Sequence, residues 1–375
     1  MSARFLTAVS GRAFNMRDRF GREIDYMRIS VIDSCNLNCY YCNPCDNNEH
    51  CHALNILSVK EVLCIVRAAT RLGIKHFRLT GGEPLLHPQL DEMVLQIKKI
   101  SGVSSVSLTT NAVLLAQHAK WLKEAGIDSI NVSLDTIDAS EYERITKKPL
   151  LEEVKHGINA AIECGIRVKI NVVLTPQTDV VALTRYVAKK GTDIRFIEMM
   201  PVGEGHTNGV EPYKKVIGTL SKLYGEPCRI NTEKTKEINS GNDKRKIPDN
   251  GPAEYYIFPE LGIRVGLIQA IHGKFCDTCN RIRVTADGRL MPCLGSSVTM
   301  DLVPDSWDFA DDVEKDFAIV RALRAAIKAK PRCHNFNDNA VTYTKTTETK
   351  TVETKATELK AAEVNAARNM SRIGG

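Results

Sequence analysis

Between residues 28 and 200, short aliphatic and β-branched runs alternate with longer stretches whose apolar positions recur at helical spacing. The runs at 28–33, 76–80, 103–110, 129–135, 167–174 and 193–199 are nearly continuous and end in polar residues, as strands covered on both faces do. Between them, 59–72, 115–125 and 151–164 read as amphipathic helices. Gly73, Gly126, Gly165 and Gly191 each follow a helical stretch at the position where left-handed backbone ends a helix. Six strand–helix units in succession predict a parallel sheet with right-handed crossovers.

The polar strand ends select between the two parallel architectures. Asp33 precedes Cys35, and further strands close on Thr80-Gly81-Gly82-Glu83-Pro84, Thr109-Thr110-Asn111, Ser133-Leu134-Asp135, Asn171 and Glu198-Met199-Met200-Pro201. A doubly wound sheet gathers its chemistry at one switch point, whereas a barrel spreads it over all the strand ends. The expected fold is therefore α/β, an incomplete (β/α)6 barrel of TIM type. The expected division is an N-terminal arm (1–26), the partial barrel (27–212), a C-terminal α+β domain (213–335), a low-complexity linker (336–370) and a Gly-Gly tail (371–375). The threonine-rich stretch 342–357 is too poor in core residues to offset its ordering entropy.

Composition narrows the class. The 375 residues are 43% hydrophobic and 26% charged, enough for one large domain and a smaller one. A net charge of +6 suits an anionic small molecule and an ordinary basic protein equally, and there is no dense Lys/Arg block to read as a nucleic-acid surface. No apolar run is long enough for a bilayer, so no membrane partner is expected. Residues 1–15 lack an apolar signal segment, and a cytoplasmic setting is expected. Arg4, Arg12 and Arg17 without an acid leave an organelle-targeting leader as the alternative to a plain arm. Of twelve cysteines, six fall into two tight groups, which in such a chain points to metal ligation rather than disulfides.

The first group, Cys35-x3-Cys39-x2-Cys42, directly follows a predicted strand. Three thiolates satisfy three irons of a four-iron cluster and leave one iron open, whereas zinc would want a fourth ligand such as His50 or Cys51. With Tyr41 beside the last cysteine and Thr80-Gly81-Gly82-Glu83-Pro84 after the next strand, this segment resembles the radical S-adenosylmethionine superfamily. The resemblance implies a [4Fe-4S] cluster whose open iron binds S-adenosyl-L-methionine, with Gly82 and Glu83 near its amino group. Reductive cleavage to a 5′-deoxyadenosyl radical and hydrogen-atom abstraction would follow.

The second group is Cys276-x2-Cys279-x13-Cys293, again three thiols without a certain fourth ligand; His272 completing a zinc site is the alternative. Together with 18–22, 28–42, 79–86, Thr109-Thr110-Asn111, 131–135, 168–172, 195–203, Gly251-Pro252-Ala253, 275–294 and the final Ile373-Gly374-Gly375, the chain resembles the GTP 3′,8-cyclases of molybdenum cofactor biosynthesis. That resemblance implies a second [4Fe-4S] cluster in the C-terminal extension, with GTP lying between the two clusters. It assigns Tyr41, Thr80, Gly82, Thr109, Ser133 and Met200 to S-adenosylmethionine, and Arg28, Arg78, Lys169 and Arg195 to the triphosphate. Arg281, Arg283, Gly374 and Gly375 fall to catalysis. The implied reaction takes H3′ from the ribose and joins C3′ to C8, giving 3′,8-cyclo-7,8-dihydro-GTP. An electron donor of flavodoxin or ferredoxin type, hand-off to cyclic pyranopterin monophosphate synthase and a homodimer are implied too.

Some positions depart from the family pattern. His76 stands where the family has a lysine of the triphosphate site, which makes binding weaker or more pH-sensitive. Ser34 replaces an arginine, Asn43-Pro44-Cys45 replaces a Met-Pro, and His50-Cys51-His52 is added. Two other readings stay open: a peptide-modifying radical S-adenosylmethionine enzyme with an auxiliary cluster, and a non-catalytic zinc protein.

Overall fold

A computed structural model describes residues 16–42, 55–202, 209–230, 251–296, 298–302, 312–334 and 336. Residues 1–15, Cys45, His50, Cys51, His52, the threonine-rich stretch and the Gly374-Gly375 tail lie outside them. The six anticipated strands are β1 (Tyr26–Ser30), β2 (His76–Thr80), β3 (Ser105–Thr110), β4 (Ser129–Ser133), β5 (Val168–Val173) and β6 (Asp193–Ile197), paired in parallel in chain order. Between them run α1 (Val59–Arg71), α2 (Leu90–Lys98), α3 (Leu115–Glu124), α4 (Ala139–Thr146), α5 (Leu151–Glu163) and, after β5, α6 (Val180–Lys189). The glycines after the helices do what the sequence suggested: Gly73, Gly126, Gly165 and Gly191 all have φ between 63° and 88°.

One feature of the strands differs from the sequence pattern. Their outward residues are apolar and buried, as with Met27 and Ile29 on β1, Phe77 and Leu79 on β2, and Ile194 and Phe196 on β6. Their inward residues are polar: Tyr26, Arg28, His76, Arg78, Ser107, Asn131, Lys169 and Arg195 face one shared cavity. A period of two puts alternate residues on opposite faces, so the strands are apolar only toward the helices. Because residues from β1 through β6 border the same space, the sheet curves into an incomplete barrel.

The C-terminal part was read from sequence only as a loss of rhythm. It contributes α7 (Gly218–Tyr224), β7 (Cys228–Arg229), β8 (Glu254–Ile257), β9 (Arg264–Ile268), β10 (Arg281–Val284), β11 (Arg289–Met291), β12 (Met300–Asp301) and α8 (Asp312–Ala329). These strands extend both edges of the barrel. β9 pairs in parallel with β6 and β10 in parallel with β1, so the connection 269–280 runs from one edge to the other and carries Cys276 and Cys279 with it. α8, unforeseen in the sequence, packs on α1 with an Arg71–Asp316 ion pair at 2.7 Å.

Arg22 ties this closure together. Its Nε pairs with buried Asp18 at 2.6 Å; Nη1 donates to the carbonyls of Cys276 (2.7 Å) and Arg332 (2.9 Å), and Nη2 to that of Pro331 (2.6 Å). Replacing Arg22 by Met would leave the Asp18 carboxylate buried without its counter-charge. Arg22→Met is expected to lower unfolding free energy by about 3–5 kcal/mol, read by urea denaturation under anaerobic conditions.

Candidate active site

The first triad sits on the loop that leaves β1. Two backbone bonds fasten it to the end of α4, from Asn38 N to Thr146 O (3.0 Å) and from Tyr40 N to Ile145 O (3.1 Å), and Cys42 N closes a turn onto Cys39 O (3.0 Å). The paired glycines act on this loop. A Cβ on Gly81 would lie 2.3 Å from Ile32 O, and one on Gly82 would lie 2.2 Å from Ser34 O. The bare backbone lets Gly82 N donate to Ile32 O (2.7 Å) and Glu83 N to Ser34 O (2.8 Å). The glycines thus bring the β2 end against the residues just before Cys35.

Glu83 is buried and accepts from Leu85 N (3.0 Å), Thr110 Oγ1 (2.7 Å) and Asn111 N (2.7 Å). Burial pushes its carboxyl up to about 7 in spite of these donors. Asn111 in turn donates through Nδ2 to Asn36 Oδ1 (2.7 Å) and lies 3.8 Å from Cys35 Sγ. The next residue, Ala112, has φ 65°, left-handed backbone that costs an L residue about 1–2 kcal/mol. Burial raises the Cys35 thiol to about 12 and the Cys42 thiol to about 11. Tyr41 donates to Asp135 Oδ2 (2.5 Å), whose Oδ1 accepts from Val173 N (2.7 Å).

A cavity of about 590 Å³ extends from Tyr41 and Cys42 to Cys276, Cys279 and Cys293. Every basic residue singled out in the sequence for substrate, including His76, borders it, as do Thr109 and Met200. Thr80, Gly82, Glu83 and Ser133 do not; the first three are packed at the β2 end, and Ser133 is exposed at the end of β4.

Strand register makes the cavity cationic. Arg283, Arg28, Arg78 and Ser107 form one row across β10, β1, β2 and β3, and Arg281, Tyr26, His76 and Ser105 form the row beside it. Tyr26, which sequence reasoning passed over, accepts at 2.5 Å from Arg78 Nε through its hydroxyl, and its ring carries the guanidinium groups of Arg78 and Arg281. Burial alone would raise its phenol, but Arg78, Arg281 and Arg28 outweigh that and hold it below its usual value. Burial, then the neighbouring Arg283 and Arg78, push Arg28 well down; burial and Arg281 bring Arg283 to about 10. Across the cavity, Arg195 Nη2 donates to Asn131 Oδ1 (2.6 Å), and Gly266 opposite leaves room for its stem, since a Cβ there would be 2.7 Å from Arg195 Cγ.

The cavity's two acids are engaged elsewhere. Asp128 accepts from Lys98 (2.8 Å) and Val106 N (2.7 Å), and Glu198 from Ile271 N (2.7 Å) and His272. Arg195 Nε, Arg283 Nη1 and Asn171 Oδ1 are buried with no hydrogen-bond partner. Such groups fit a polyanionic ligand with further polar edges. His76 differs from a lysine here: Nδ1 meets Ser105 Oγ at 2.8 Å, and burial holds the imidazole below its usual value despite Asp25.

The second triad faces the cavity from the β9–β10 connection and from the turn after β11. Burial raises the Cys276 thiol, whereas Cys279, though buried, is held below the usual thiol value by Lys330 and Arg281. His334, missed in the sequence, donates through Nε2 to Ala270 O (2.7 Å), and its buried Nδ1 at the cavity edge has no hydrogen-bond partner among the described residues. His272 is held by Glu198. Among the described residues no three His, Cys, Asp or Glu converge as ligands of one metal ion.

A parallel partial barrel with Cys35-x3-Cys39-x2-Cys42 after its first strand and Gly81-Gly82-Glu83-Pro84 after its second defines a radical S-adenosylmethionine protein. The family described as the Radical SAM superfamily matches residues 29–182, and Molybdenum Cofactor Synthesis C matches 192–336. The chain is 35% identical to a GTP 3′,8-cyclase of Clostridium perfringens over 86% of its own length and 95% of that protein's. A GTP 3′,8-cyclase of Listeria monocytogenes is 35% identical over 85% of this chain and 92% of its own length. The crystal structure of Streptococcus suis SuiB bound to precursor peptide SuiA shares the fold, with TM-score 0.54 and 14% identity over 84% of this chain and 72% of that one. The chain belongs to the GTP 3′,8-cyclase family.

Gly82→Ala is expected to displace the Cys35 loop at a cost of about 1–3 kcal/mol and to lose the iron of the first triad selectively, read by iron analysis and thermal unfolding. A pH effect follows from Glu83. Its carboxyl stays protonated in the fold up to about 7, against an ordinary value of 4.5. The folded protein therefore holds a proton that the unfolded chain has lost between those values, and this contribution to stability falls as pH rises through the window. Glu83→Gln, which cannot ionise, should gain stability relative to wild type as pH rises across it in urea titrations.

Proposed function

We infer that this protein converts GTP to 3′,8-cyclo-7,8-dihydro-GTP, the first step of molybdenum cofactor biosynthesis. The observation that carries the reading is one cavity that reaches Cys42 of the first triad at one end and Cys276, Cys279 and Cys293 at the other, with Arg28, Arg78, Arg195, Arg281 and Arg283 along its wall. Cys35, Cys39 and Cys42 would hold a [4Fe-4S] cluster, which would supply the electron that cleaves S-adenosylmethionine to the radical taking H3′ from the ribose. Arg28, Arg78, Lys169 and Arg195 bind the triphosphate as bidentate or point charges and fix the ribose relative to the first triad. Tyr41, Thr109 and Met200 border the adenosyl end, while Gly82 and Glu83 act through the cysteine loop. Ser133 and Thr80, and the tail Gly374-Gly375, are assigned to the site on family resemblance.

We place a second [4Fe-4S] cluster on Cys276, Cys279 and Cys293, where it would face the guanine, with Arg281 and Arg283 positioned to offset charge on the purine during ring closure. No helix of the described residues is long and apolar enough to cross a membrane, and the oxygen-labile clusters suit a cytoplasmic setting. A flavodoxin- or ferredoxin-type donor, hand-off to cyclic pyranopterin monophosphate synthase and a homodimer complete the proposal. So does the division at 26, 212, 335 and 370.

The test is anaerobic turnover with GTP, S-adenosylmethionine and dithionite, following 5′-deoxyadenosine and the cyclised nucleotide. Wild type should carry about eight irons per chain. Cys35→Ala should abolish S-adenosylmethionine cleavage, and Cys276→Ala should chiefly reduce cyclised nucleotide. Full cleavage and product in both variants would refute the assignment, as would colourless protein holding zinc.

A further inference from the structure

Lys330 follows the end of α8 and is almost fully buried, 3% exposed. Its ammonium donates to the carbonyl of Arg281 and to that of Pro292, both at 2.8 Å. Arg281 lies two residues past Cys279, and Pro292 immediately precedes Cys293. One side chain therefore joins the two separate segments that carry the second triad. A buried ammonium is costly without a counter-charge, yet among the described residues no carboxylate pairs with Lys330, and its two carbonyl partners are neutral. The anion left within reach is sulfur.

Resting on the reading that Cys276, Cys279 and Cys293 hold a second cluster, we propose that Lys330 is the resident cation of that cluster: it holds the two cysteine segments in register, and its charge sets the cluster's reduction potential. It acts as a positioning residue. The physical reason is general: an iron–sulfur cluster gains a negative charge on one-electron reduction, and a nearby cation or a donor to its sulfurs favours the reduced form. Arg281 and Arg283 reach into the cavity, where substrate would take up their charge. Lys330 borders the same cavity, but its ammonium is bound to two backbone carbonyls, so its effect persists without substrate.

The experiment is an anaerobic dithionite-mediated redox titration of the full-length, cluster-loaded protein without GTP, followed by electron paramagnetic resonance and iron analysis. The variants are Lys330→Met and Lys330→Arg. In Lys330→Met the ratio of reduced to oxidised second cluster at fixed potential should fall about tenfold, a shift of about 59 mV for one electron toward more negative values. The first cluster should be unchanged, and Lys330→Arg should restore most of the shift. Loss of the second cluster from Lys330→Met but not from Lys330→Arg would also support the proposal. An unshifted second cluster in Lys330→Met overturns it, as does loss of that cluster from both variants. A raised KM for GTP with an unshifted potential overturns it too, making Lys330 a substrate contact. Wild type with only about four irons sinks the two-cluster reading itself, a result distinct from all of these.

Discussion

Guanidinium groups facing inward, in register, are what the molecule is arranged around. Arg283, Arg28 and Arg78 stand side by side on three adjacent strands, and Arg281 stands in the next row. Each buried charge costs several kcal/mol unless something opposite is brought to it, and burial first, then mutual repulsion, depresses Arg28 and Arg283. The fold tolerates this because the sheet's outer face is covered by buried aliphatic side chains that do not depend on the interior. Tyr26 gives partial relief through its hydroxyl and its ring face. A triphosphate would give the rest, so the stability forgone in the free protein reappears as binding energy for a polyanion.

That arrangement needs the two cysteine trios to face each other across the charge, and different devices place them. The first depends on close backbone approach: Gly81 and Gly82 let β2 press on the loop after β1, and the Glu83–Thr110–Asn111 bonds carry the contact to β3. Left-handed Ala112 sits at the end of that chain. The second depends on topology, since the segment between β9 and β10 must pass from one edge of the barrel to the other. Arg22 and Lys330 then fix it from outside by bonds to its carbonyls. Local sterics govern one end of the cavity, and long-range connection governs the other.

His76 shows how a single position shifts within this frame. It occupies the row beside Tyr26 and contacts Ser105, but burial disfavours its charged form. The cavity thus carries less fixed charge at that corner than a lysine would provide.

The amino-acid sequence by itself determined the six βα units, their glycine stops and the two thiol trios, because periodicity, left-handed caps and ligand spacing are local properties of a chain. Tyr26 was legible in principle, lying two residues before Arg28 and so on the same strand face. The C-terminal strands and α8 were not: β7, β11 and β12 are two or three residues long, too short for a period to show. Nor could residues apart in sequence reveal that Arg22 binds Cys276, that Lys330 joins Arg281 to Pro292, or that Gly266 makes space for Arg195. Only strand register and edge pairing decided that the arginines share one cavity, because a row across a sheet is a property of several strands at once and is written in none of them.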